Sequence, residues 1–134
     1  MTRDEAQRIR AIIEQAAQSL PDREASEAPT LFPRLKEDGK LIATGTRILW
    51  AGEIRRANVD MWDRPENNPD NAPSMWDHIR YKQGERIIPS VIPASLAFDK
   101  GEKGWFGDVL YISLIPANVW TPDENPAGWE AVTA

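Results

Sequence analysis

The apolar positions change period once, and the change divides the chain. Between residues 4 and 20, Ile9, Ile12, Ile13, Ala16 and Leu20 recur at steps of three and four, the spacing of one helix face. Ala and Gln are plentiful there, Thr2 or Asp4 stands where an N-cap belongs, and Pro21 marks the stop. A helix this short is marginal in isolation. Its stripe must therefore pack, either on its own domain or on copies of itself, most simply as a trimer. Residues 21–30 carry no sustained apolar pattern and read as linker, with room for one helical turn at 22–27.

Beyond residue 30 the pattern becomes short β-prone runs between Gly and Pro. Two stretches share one grammar. Met61-Trp62-Asp63-Arg64-Pro65, Asn68-Pro69 and Pro73-Ser74-Met75-Trp76 form the first, and Trp120-Thr121-Pro122, Asn125-Pro126 and Gly128-Trp129 the second. Ahead of them, Leu41-Ile42-Ala43-Thr44-Gly45 corresponds to Ala97-Phe98-Asp99-Lys100-Gly101. Thr46 to Ile54 corresponds to Glu102 to Val109 with one residue fewer. A repeated order of signals points to a duplicated unit.

Within each copy, Ala51-Gly52-Glu53 and Phe106-Gly107-Asp108 separate two β-prone runs, which is a hairpin signal. The first strands are expected at Arg47 to Trp50 and Lys103 to Phe106, the second at Ile54 to Val59 and Val109 to Ile115. Proline cannot continue a ladder, so each Pro-rich stretch is expected to turn and return its closing Trp as a short third strand. Glu85 to Ile88 offers one more strand between the copies. The expected fold class is mainly β with an N-terminal α-helix and two tandem small three-stranded antiparallel β modules. The segments are 1–30 (helix and linker), 31–79 (repeat one) and 80–134 (linker strand and repeat two).

Composition narrows the function classes. A module of about 40 to 50 residues buries little surface and is marginal alone, so two copies sharing a core, or oligomerisation, would help. The absence of cysteine excludes disulfides and thiolate metal sites. A formal charge of −5 without long runs argues against sequence-independent nucleic-acid binding. No apolar run approaches a membrane span, and Met1 to Glu5 lacks a signal peptide's apolar core. The expectation is synthesis in the cytoplasm, then a place on a virion or outside the cell after lysis.

Phe98-Asp99-Lys100-Gly101, Gly107-Asp108-Val109-Leu110-Tyr111, Trp120-Thr121-Pro122 and Pro126-Ala127-Gly128-Trp129 together resemble the chitin-binding type of carbohydrate-binding module, families five and twelve. The second copy matches over about 40 residues. The first departs from it: Ile42 and Arg56 stand where the family carries aromatics, and Trp62 to Trp76 spans five residues more than Trp120 to Trp129. A leader helix, a Leu-Phe-Pro step and tandem modules resemble small phage and prophage proteins of the tail or host-contact apparatus. The resemblance implies a sugar platform at Trp120 with Pro122, a second at Trp62 with Pro65, and structural roles for Trp76 and Trp129.

The implied partner is a polysaccharide or cell-surface glycan, with further copies of the chain and other phage structural proteins. No cofactor, metal, nucleic acid or membrane is implied. A rigid indole covers the apolar face of a pyranose, and Asp123, Glu124 and Asn125 are candidate partners for its hydroxyls. Tyr111 completes the candidate set, with a core-edge role as its alternative. Trp50 and Trp105 fall on hairpin strands, where packing between modules is expected. The one histidine, His78, has no second ligand at metal spacing. Asp60, Asp63 and Asp70 read as solvated loop residues rather than a carboxylate pair, so no catalysis is expected.

Overall fold

The computed structural model describes residues 2–132. Met1, Thr133 and Ala134, at the outer ends of the first and last expected segments, lie outside the described residues. Contacts divide the chain into two units, one ending at Ile79 and the other beginning at Arg80. The protein is mainly β with an N-terminal helix and small antiparallel sheets.

Helix α1 (Arg3–Ala17) starts where the Thr2 hydroxyl accepts from the Glu5 amide. It ends three residues before the apolar pattern does, because Pro21 has no N–H to return to the Ala17 carbonyl. The Arg47 guanidinium donates to the carbonyls of Ala17 and Gln18 at 3.2 and 2.8 Å, satisfying these helix-end acceptors. α2 (Asp22–Glu27) follows Pro21 directly. The apolar stripe does not pack on its own unit. Ile9, Ile12, Ile13 and Ala16 are exposed, Ile12 at 66%, and α1 instead meets the unit through Arg10, Ala17 and Gln18. Polar hydrogen bonds, not the apolar face, decide the helix orientation.

The first unit carries β1 (Leu41–Ile42), β2 (Arg47–Trp50), β3 (Glu53–Ala57), β4 (Met61–Trp62) and β5 (Trp76–Ile79). β2, β3 and β5 form an antiparallel sheet in that order, and β1 pairs with β4 beside it. Ile42, Ile48, Ala57, Met61 and Trp76 form the core between them. Ala51 and Gly52 turn β2 into β3 with φ of 51° and 79°, the two left-handed residues of a turn whose twist suits a hairpin. The outer edge of β2 is closed by other groups. The Gln18 side-chain amide bonds both the N–H and the C=O of Arg47, and the Leu49 N–H donates to the Pro33 carbonyl.

The second unit carries β6 (Tyr81–Lys82), β7 (Glu85–Ile87), β8 (Lys103–Phe106), β9 (Val109–Ser113) and β10 (Trp129–Ala131), ordered β10-β9-β8-β7-β6. The last three in sequence are the expected three-stranded module. The linker adds two strands to it, and β7 lies parallel to β8. The core is Ile88, Ile92, Phe98 and Trp129, with Phe98 and Trp129 edge to face at 5.2 Å. Gly104 on β8 admits this packing, because a Cβ there would stand 2.6 Å from Ile88 Cγ1. Arg86 lies 3.8 Å over the Phe98 ring and pairs with Glu102.

The two hairpins are equal in length. Gly45 donates to Ala57 and Gly101 to Ser113; Ala57 donates to Thr46 and Ser113 to Glu102, all at 2.8 Å. The one-residue deletion expected in the second copy is therefore not there: Trp50 corresponds to Phe106, and Ala51-Gly52 to Gly107-Asp108. Trp50 and Trp105 also bond within their own units, to the Asp70 carboxylate and the Lys82 carbonyl.

Candidate carbohydrate-binding site

The loop from Asn118 to Trp129 is built to hold one residue still. Asn118 is fully buried, and its backbone exchanges two hydrogen bonds with Phe98. Its side-chain amide donates to the Ser113 hydroxyl and the Gly128 carbonyl, and its side-chain oxygen accepts from the Trp120 amide at 3.2 Å. From the other side the Trp129 indole N–H donates to the Trp120 carbonyl at 2.6 Å. Both backbone polar groups of Trp120 are thus tied to buried side chains, while its own side chain is turned outward and the residue is 48% exposed.

The next residues brace the loop. Thr121 and Glu124 bond reciprocally: the Thr121 amide donates to the Glu124 carboxylate, and the Glu124 amide donates to the Thr121 hydroxyl. This is the arrangement that elsewhere caps a helix start. The Thr121 carbonyl also accepts from the amides of Glu124 and Asn125. Pro122 is buried, so it offers no contact surface of its own and serves only to stiffen the loop.

Of the remaining candidate residues, Asp123 is exposed on the same loop and Asn125 is half-buried, its amide nitrogen close over Gly128. Tyr111, on β9, is half-buried between Phe106 and Trp129, edge-on to both at 6.5 Å. It packs against the core of this unit and touches the site through Trp129. Trp120, Pro122, Asp123 and Asn125 are therefore gathered on one loop, and Trp62 belongs to the other unit.

Trp62 is 54% exposed on β4 opposite Leu41, but it is not the counterpart of Trp120. The Trp76 indole N–H donates to the carbonyl of Asn67, nine residues before it, as Trp129 does to Trp120. Asn68 then repeats Thr121: its carbonyl accepts from Asn71 and Ala72, and its side chain accepts from Asn71. Pro69 is buried as Pro122 is. The position equivalent to Trp120 is thus Asn67, and the matching of Trp62-Pro65 to Trp120-Pro122 by their letters is overturned. Pro65 opens a separate 3-10 turn.

Sequence reasoning passed over Asn118, and it took Glu124 for a hydroxyl partner rather than the brace of Thr121 that it is. The Thr-x-x-Glu spacing at 121–124 was a readable signal, whereas nothing local marks Asn118. Among the described residues no group of His, Asp and Glu could hold a metal ion, and no helix is long and apolar enough to cross a membrane. Compared with known proteins, the chain matches no family model and no curated sequence.

Proposed function

We propose that the chain is a non-catalytic glycan-binding protein whose platform is Trp120. One observation carries this reading: an outward indole on a backbone held at both polar groups by buried Asn118 and Trp129. A preformed platform loses little entropy when a sugar stacks on it. Asp123, exposed three residues further along the same loop, offers an acceptor. The layout resemblance supports a place in the tail or host-contact apparatus of a phage or prophage. Retention on chitin, cellulose and peptidoglycan, comparing wild type with Trp120→Ala, tests the proposal. Loss of a central aromatic anchor costs about 2 kcal/mol or more, so retention on at least one polymer should fall more than tenfold. If wild type is held by none of them, or Trp120→Ala is held equally well, the proposal fails.

A second reading is favoured by a different observation. The exposed stripe Ile9, Ile12, Ile13 and Ala16 on a helix otherwise docked by polar bonds fits a chain that assembles through α1, in a trimer or a related bundle. This role is compatible with sugar binding, and it would stand alone if the platform test failed. Sedimentation of wild type against Ile12→Glu separates the two states: an oligomer should become a monomer, and a wild-type monomer sinks this reading.

A further inference from the structure

The first unit lacks the Trp120 platform, since Asn67 stands there, yet it holds an indole where the second unit has Phe106. Trp50, the last residue of β2, lines a cleft of about 590 Å³ together with Thr30, Arg34, Leu35, Leu49 and Asp70. That volume lies within the range of small-ligand sites, about 300–1,000 Å³. The Trp50 indole N–H donates to Asp70 Oδ1 at 3.2 Å, which fixes the ring's tilt. Part of the ring packs with Leu35 on the core, and part faces the cleft.

The charges at the rim narrow the ligand. Arg34 is exposed, and no described residue pairs with its guanidinium. A planar guanidinium presents two parallel donors, matched by a carboxylate. Asp70 uses one oxygen on Trp50 and keeps the other for a hydroxyl donor. It also sets a negative charge against any ligand carrying more than one, which disfavours phosphate esters. An apolar ring face, one cation and one acceptor describe a hydroxylated ring that bears a single carboxylate.

The geometry points to a second glycan site in the first unit, specific for a carboxylated pyranose such as a hexuronate: Trp50 contacts the C–H face, Arg34 pairs with the carboxylate, and Asp70 accepts from a ring hydroxyl. The site shares no residue with the Trp120 loop, so either can fail while the other stands.

Calorimetric titration of the full chain with a galacturonic acid trimer tests it, with a neutral N-acetylglucosamine trimer as comparison. Wild type should bind the acidic trimer, more weakly as salt is raised. Arg34→Gln should weaken that binding tenfold or more, and Trp120→Ala should leave it unchanged. Because Trp50 also supports the core, Arg34→Gln, on an exposed side chain, is the deciding variant; Trp50→Phe should weaken the acidic trimer and leave binding of the neutral trimer unchanged. No binding of the acidic trimer by wild type, equal binding by Arg34→Gln, or loss of binding in Trp120→Ala would each overturn the assignment.

Discussion

Asp22, at the start of α2, joins that helix to the first sheet, and its removal gives the sharpest test of how that unit is held. Its two oxygens accept from Arg47 Nη1 at 3.0 Å and Arg56 Nη1 at 2.8 Å. The Arg47 side chain is 5% exposed and that of Asp22 27%. In Asp22→Ala two charge-assisted hydrogen bonds vanish, each contributing about 1.5–3 kcal/mol when well shielded. Partial exposure of Asp22 puts both near the low end. Arg56 retains Asp77 at 3.5 Å, and Arg47 retains the carbonyls of Ala17 and Gln18, so neither cation is stranded. The expected loss is about 3 kcal/mol, below the roughly 3–5 kcal/mol seen when a fully buried pair is broken. Two units make a single unfolding free energy ill-defined, so the assay is hydrogen exchange at the Ala57 amide, bonded to Thr46 on the far side of the hairpin. At about 1.4 kcal/mol per factor of ten, exchange should accelerate on the order of a hundredfold. The Ser113 amide, its counterpart in the second unit, serves as an internal reference. An acceleration below about fivefold at Ala57 would mean that Asp22 is a surface ion pair, and the reasoning would fall.

Other outcomes follow from single contacts. Gly104→Ala would set a methyl 2.6 Å from Ile88 Cγ1 and 2.8 Å from Phe98 Cε2. Overpacking of this kind costs about 1–3 kcal/mol, and the thermal midpoint of the second unit should fall by several degrees; an unchanged midpoint refutes it. The Asp60 carboxyl is held below its ordinary value of 3.8, first by the Thr44 N–H and then by the Thr44 hydroxyl. A depressed folded-state value means the contact supports folding above that ordinary value and is lost as pH falls through the lower one. The Thr44 amide resonance should titrate with a midpoint below 3.8, and a midpoint at or above it contradicts the assignment. Ala51 adopts φ of 51°, which costs a β-carbon residue about 1–2 kcal/mol. Ala51→Gly should therefore stabilise the hairpin slightly in denaturant titration, and destabilisation would show that the turn is not strained.

The β-hairpins were legible in the sequence because their information is local. Arg47 to Trp50 and Lys103 to Phe106 are β-prone runs abutting Gly turns, and both form strands with those bounds. The parallel pairing of β7 with β8 was not legible, since only two residues pair with a partner far along the chain and no turn fixes their register. The helix stripe was readable as a period, but its orientation was not. That depends on Arg10 and Gln18 reaching backbone groups of residues 30, 32 and 47. The site divides in the same way. An exposed Trp120 followed from its motif, whereas its clamp required Asn118 to meet Ser113 and Gly128 in space. The mispairing of Trp62 with Trp120 arose from matching residue types. Counting back nine from each closing Trp lands on Asn67 and Trp120 and would have found the register.

The closed rim of β2 bears on how this protein can be cut. An uncovered strand invites another chain to add to it. Here the Gln18 amide and the Pro33 carbonyl occupy the outward groups of Arg47 and Leu49. A fragment beginning at Pro29 keeps the second cover and loses the first, along with both carbonyls and the carboxylate that hold the Arg47 guanidinium. Such a fragment would stick to itself through bare backbone, and its clumping would imitate an assembly that the intact leader prevents. The helices thus act as a guard on the sheet, and a single substitution on α1 is a cleaner probe of self-association than its removal.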